Sequence, residues 1–404
     1  MKIPLRFNFF LLLFFLASCA SPQGQTIPPT LVLVTQASNA SPTLTPFQPV
    51  TLTPTSLEPP TLIPSFTPEP PTNTPPPTFA FTATSLPQPT SPPQSSRTQY
   101  TLFALLDYYG HQLAVDETIR YTNQTGVALN ELVMAVEPNH RGGFALENIL
   151  LDSAALNYDM SGHRLTVYLP QPLAPNSQVT LAMRFRISVP QKVKEHPYGY
   201  DSTQTNLTDW YPFVVPYTNG WVLHDEYYLG EHLVYDAADF EVNVRTTEGS
   251  ITIAASGVSE PNNEWTRYRI FGARTFALSA SDQFQVVDAS AGAAVIRAYY
   301  FAGYETEGLA ILNAGVRSVS LFESLFGPYP YGSLSVVQSD LNDGQEYDGL
   351  VFLATKFYNE YDGSARSNLT AIGVHEIAHQ WWFGLVGTDQ AMEPWLDEAL
   401  SVYS

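Results

Sequence analysis

Twenty of the 33 prolines in this 404-residue chain lie between Pro22 and Pro93, mixed with Thr and Ser. Stretches such as Pro75-Pro76-Pro77 and Pro87-Gln88-Pro89 form neither helix nor paired strand, because each ring fixes φ and removes a backbone donor. The only charged residues in 20–98 are Glu58, Glu69 and Arg97. Residues 20–98 therefore read as a semi-extended stalk, and a folded core has to come from residues 99–404. With 44% hydrophobic residues, that remainder is long enough for two domains.

The stalk is preceded by Lys2 and Arg6, the almost wholly apolar run Phe7–Leu16, and Leu16-Ala17-Ser18-Cys19. Residues 1–19 read as a secretory signal, with an apolar run short for a membrane span. The segment also resembles a bacterial lipoprotein signal, which implies cleavage before Cys19, lipid on its sulfur and a lipid-anchored, extracytoplasmic location in a bacterial cell envelope. Cys19 is the single cysteine, so the chain has no internal disulfide and no cysteine-based zinc site. The formal charge of −20 argues against nucleic acid as a partner, since phosphates would be repelled.

From Tyr100 the pattern is of strands separated by turn residues: Leu102–Tyr109, His111–Tyr121, Leu165–Leu169, Val179–Val189, Phe240–Thr246, Ile251–Ala255, Trp265–Phe271 and Thr275–Ala280. Residues 99–288 are expected to form an antiparallel β domain. After that the period changes. Leu309, Leu312, Val316, Val319 and Phe322 line one face of a helix ended by Gly327-Pro328. Ser333–Gln338 and Leu350–Leu353 read as strands, Ser367–Phe383 as a helix, and Pro394 opens another.

The chemistry concentrates there. His375-Glu376-Ile377-Ala378-His379 puts two imidazoles one helical turn apart on one face, able to reach one metal ion. Glu376 is suited to be the general base toward a water. Glu398 follows His379 after 18 residues, on the helix begun at Pro394, and completes two imidazoles and a carboxylate, a donor set for one catalytic Zn2+ that leaves a position open. Asp397 is a candidate acceptor for a ligand imidazole N–H. The other histidines, His111, His140, His163, His196, His224 and His232, have no ligand spacing and read as structural.

Together with Trp381-Trp382-Phe383-Gly384 and Trp395-Leu396-Asp397-Glu398-Ala399, the motif resembles the aminopeptidase N family of gluzincin metallopeptidases. Gly344-Gln345-Glu346-Tyr347 resembles the family's GxMEN segment, and Asp209-Trp210-Tyr211-Pro212 with Gly220-Trp221 resembles the β domain of bacterial members. The similarity covers roughly residues 100–404. It implies a multidomain β plus α+β fold: an N-terminal antiparallel β-sandwich-like domain, then in 289–404 the first half of a thermolysin-like catalytic domain. It further implies that Glu346 holds the free α-amine of a peptide substrate. A buried ammonium does need a carboxylate partner. Asp343, Gln345 and Tyr347 replace the family's first Gly, its Met and its Asn, and Asp397 replaces the Asn of WLNEG, which leaves substrate preference open.

The chain stops at Ser404. The resemblance places the helical half of the catalytic domain, with a tyrosine that stabilises the tetrahedral intermediate, beyond that point, so a truncated chain is expected; Tyr403 reads as packing. The expected function is zinc-dependent release of N-terminal residues from peptides outside the cytoplasm. A zinc endopeptidase and a non-catalytic surface lipoprotein that binds a partner are the alternatives. The sequence does not fix the oligomeric state.

Overall fold

The computed structural model describes residues 96–227 and 230–404. The signal segment, Cys19 and nearly all of the proline-rich stretch lie outside the described residues. Arg97, at the end of that stretch, pairs with Asp239 at 2.7 Å, and the first strand starts beside it at Thr98.

Strand Gln178–Ser188 alternates buried and exposed residues along its whole length, as does most of Gln112–Thr122. Such strands put one face on a core and one in water. They sit inside an eight-stranded sheet whose order runs Val258–Asn262, Trp265–Ala273, Ala238–Thr246, Thr98–Asp107, Gln112–Thr122, Gln178–Ser188, Phe144–Leu151, Ala154–Ala155. The domain was expected to be antiparallel. Thr98–Asp107 and Ala238–Thr246 instead pair in parallel, with Leu102 opposite Val242, because 238–246 reaches the first strand by a long crossover rather than a hairpin. Two four-stranded sheets complete this β-rich part: Phe213–Val214, Leu129–Ala135, Arg164–Leu173, Tyr158–Ser161, and Thr252–Ala255, Leu278–Ser281, Thr205–Leu207, Gly199–Tyr200. Leu102, Ile119, Leu132 and Val167 belong to one continuous buried core.

A five-stranded sheet follows, ordered Gln285–Ala291, Ala294–Tyr300, Ser333–Ser339, Leu350–Ala354, Gln345–Tyr347. The expected boundary at residue 288 falls inside its first strand. Helix Glu305–Phe326 makes the crossover between the parallel strands Ala294–Tyr300 and Ser333–Ser339. Against it lies helix Asn368–His379, started by Ser367, whose hydroxyl accepts the Thr370 N–H. The two helices approach closely at Gly373, where a Cβ would come within 2.4 Å of Ile311 Cδ1.

The helix expected to run to Phe383 keeps α geometry only to His379 and widens to a π turn over Gln380–Leu385. Buried Gln380 explains where the turn is held. Its amide donates to the Tyr347 carbonyl at 3.0 Å, and its Oε1 accepts the Gly349 N–H at 2.8 Å. The end of the motif helix is thereby tied to the edge strand that carries Glu346. The chain then turns back through 386–394 into helix Trp395–Tyr403.

Candidate metal centre and its cleft

His375 and His379 present their Nε2 atoms to each other at 3.2 Å, with rings nearly perpendicular. Glu398 comes over from the next helix, its Oε2 3.3 Å from His375 Nε2 and its Oε1 3.9 Å from His379 Nε2. A tetrahedral zinc with bonds of 2.0–2.1 Å holds its ligand atoms about 3.3 Å apart. The three side chains therefore fit that ion: two imidazole nitrogens and a carboxylate lie at separations of 3.2, 3.3 and 3.9 Å.

Electrostatics agree with this arrangement. Burial lowers His379 to about 4, so the ring is neutral and its lone pair is free for a cation. Glu398 is lowered, first by its hydrogen bond with His375, and is therefore ionised. Behind the site, Ser401 Oγ lies 3.2 Å from His379 Nδ1, which fixes the ring and leaves Nε2 facing Glu398. Asp397 was the expected partner for an imidazole. It instead accepts from the Gln390 amide at 3.0 Å and from the Glu398 N–H at 2.9 Å. At the start of its helix, an Asp side chain finds unpaired backbone donors nearer than the imidazole.

Glu376 is buried beside this group, and burial, then Glu398 and Glu231, raise its pKa well above the usual carboxylate range. Gly344 is what allows the approach: a Cβ there would sit 2.1 Å from Glu376 Oε1. One residue pair on, edge strand Gln345–Tyr347 turns Glu346 into the same cleft, and a Glu346 oxygen, a Glu376 oxygen and a His379 nitrogen all lie within 4.8 Å of one another. Burial, then Glu231 and Glu376, push Glu346 well up. The cleft, about 580 Å³, is lined by these groups together with Asp343, Ile372 and Val374.

No family model matches the sequence. Among curated proteins the chain is similar to aminopeptidase M1-D of Oryza sativa subsp. japonica, 31% identical over 115 residues, and to aminopeptidase M1 of Arabidopsis thaliana, 27% identical over 115 residues. Each match spans 27% of this chain and 13% of the relative. Among solved structures, the M1 zinc metallopeptidase from Deinococcus radiodurans superposes with a TM-score of 0.55 at 18% identity, over 76% of this chain and 68% of that one. The β-rich N-terminal part and the five-stranded sheet with its helices share the fold of that metallopeptidase, and the sequence similarity to the M1 aminopeptidases covers about a quarter of the chain.

Three further residues at or behind this cleft were not found by sequence, and a fourth, Gln345, was named there only as a departure from the family segment. Glu231 lines it from the irregular segment 230–237 and is raised to about 7, by burial first. Gln345 bridges Glu231 and Glu346 with one amide. Gln390 spans Glu346 and Asp397, and Ser401 backs His379. Ser401 had a weak signal, lying one helical turn after Asp397. Glu231 and Gln390 had none, and the sequence did not give Gln345 its two carboxylate partners, because such partners are set by tertiary contacts. Asp348 also matters to the loop: it accepts the backbone N–H groups of Arg274 and Thr275, each at 2.8 Å, and the hydroxyl of Tyr331, fastening the Glu346 segment to the β-rich part.

Proposed function

We propose that this chain is a zinc-dependent aminopeptidase that removes N-terminal residues from peptides outside the cytoplasm. The observation that carries the reading is the placement of Glu346 and Glu231 beside a tetrahedrally spaced His375–His379–Glu398 triad. His375, His379 and Glu398 would hold one zinc ion. When bound, the ion would lower the pKa of a water and polarise the scissile carbonyl. Glu376, next to the ligands on the same helix, takes the proton from the attacking water and returns it to the leaving amine. Glu346, with Glu231 joined to it through Gln345, accepts the ammonium of the substrate. Buried carboxylates this close repel one another, and an ammonium relieves that repulsion where a neutral internal peptide segment does not. Anchoring the terminal amine there sets the first peptide bond, and no later one, beside Glu376.

Cys19 completes the proposal. Lipid on Cys19 holds the protein at a bacterial envelope surface.

The test is hydrolysis of an aminoacyl reporter by the purified chain, with chelator, with zinc restored, and on the N-acetylated reporter. Zinc-dependent cleavage of the free-amine reporter alone is the expected result. Equal cleavage of the acetylated reporter would overturn the exopeptidase assignment. No cleavage by protein shown to carry zinc would leave the binding role of a surface lipoprotein as the better reading.

A further inference from the structure

Outside the cleft, a second group of side chains brings together the same kinds of donor. Glu137 comes from the short helix Glu137–His140, His163 from the turn before strand Arg164–Leu173, and His232 from the irregular segment 230–237. All three are more than nine-tenths buried, at 3%, 6% and 8% exposure. Glu137 Oε1 lies 2.7 Å from His163 Nδ1 and 3.4 Å from His232 Nε2. One ligand atom from each falls within 4.8 Å of the others. A backbone hydrogen bond from the Val136 N–H to the His163 carbonyl, 2.7 Å, fixes the first two segments together.

Two observations point beyond an internal hydrogen bond. Glu137 Oε2 is buried without a hydrogen-bond partner; the nearest cation, Arg141, is 3.9 Å away and closer to Glu226, at 3.2 Å. The buried Glu137 carboxylate therefore has only the His163 and His232 rings close by to offset its charge, a place that a divalent cation can take. A cavity of about 490 Å³ is lined by both Glu137 and His232, giving an entry path and room for a water as a further ligand.

We propose that Glu137, His163 and His232 form a second divalent-cation site, of the zinc type. Two imidazoles with one carboxylate favour zinc over calcium or magnesium, which prefer all-oxygen shells. The ion takes the place of the proton now shared between His163 Nδ1 and Glu137, so binding releases a proton to solvent. His232 neighbours Glu231 in the chain, so an ion there pins the segment that delivers Glu231 to the cleft. The site does not depend on the peptidase reading.

The test is zinc stoichiometry by elemental mass spectrometry on the full chain, stripped with chelator and reloaded. The wild type should hold two ions. His375→Ala/His379→Ala should keep one ion, and adding His163→Ala/His232→Ala should remove it. Glu137→Gln, which keeps the volume, should weaken the remaining ion by more than the ~10–100-fold that follows loss of an outer-shell partner. Circular dichroism checks folding throughout, and if the four-histidine variant unfolds, Glu137→Gln decides. The proposal fails if His375→Ala/His379→Ala binds no zinc. It also fails if the ion that this variant keeps is unaffected by the changes at Glu137, His163 and His232, which would place it on other side chains.

Discussion

Two clusters of two imidazoles and a carboxylate occur in this chain, and they are built in opposite ways. His375 and Glu398 are 23 residues apart (398 − 375), whereas Glu137 and His232 are 95 apart. On the motif helix the imidazole nitrogens face each other at 3.2 Å, and the carboxylate beside them is half exposed. In the β-rich part, a carboxylate with 4% side-chain exposure touches His163 directly. Burial therefore acts differently on the two sets. It lowers His379 to about 4, while the hydrogen bond that His163 donates to Glu137 raises His163, and against its burial Glu137 is drawn down to about 2 by His163 and His232. A buried imidazole is neutral when nothing compensates its charge, and charged when a carboxylate does.

The comparison breaks most visibly in catalysis. Glu376→Gln should lower kcat by ~10²–10⁴-fold with zinc content at the His375–His379–Glu398 group unchanged, while Glu137→Gln, which touches hydrolysis only through the segment that carries Glu231, should lower it far less; steady-state kinetics with metal analysis would show this. Glu346→Ala should come next. Truncating one partner of a buried charge pair costs about 2–5 kcal/mol, so kcat/KM for free-amine reporters should fall by ~30-fold or more. The zinc affinity should stay put, which separates an amine anchor from a metal ligand.

Stability should then divide the clusters. His163→Ala strands buried Glu137 without its main partner and should cost about 3–5 kcal/mol, read by denaturant melts of metal-free protein. The pH dependence has opposite signs in the two places. For His163, whose folded pKa is raised, stabilisation is complete below the unfolded value of ~6.5 and is lost as pH rises through the folded one. For His379, lowered to about 4, the unfolded chain binds more protons between ~6.5 and 4, so stability falls as pH drops through that window. Metal-free melts of the wild type against the His163→Ala and His379→Ala variants should show slopes of opposite sign lost in the two cases. The smallest effect is at Ser401. Ser401→Ala should weaken zinc by about 10-fold in a competition titration, leaving the fold and the β-rich cluster unaffected.

The two clusters also measure how much the sequence discloses. His375, Glu376 and His379 were legible because one helix, with its fixed turn, is enough to bring them together. Glu398 was legible because its helix opens at a proline a short loop away. Most strand positions were legible from apolar runs between turn residues, while strands such as Leu129–Ala135 and Gln285–Ala291 were not singled out. The histidines of the β-rich part were read as structural because none has a sequence neighbour at ligand spacing. Glu137, His163 and His232 meet only after several strands have paired.

Residue order and helical period were thus sufficient for the convergence of His375, His379 and Glu398, for Glu376 beside them, and for the change from β-rich to α+β character. Those features depend on interactions within a turn or two, where backbone geometry leaves few alternatives. The parallel pairing of the first strand, the π turn held by Gln380, the exchange of Asp397 for Ser401 behind His379, and the convergence of Glu137, His163 and His232 came only from the tertiary structure. Each depends on which of many distant donors lies nearest once the core has closed, and hydrogen-bond partners over such separations leave no period in the sequence.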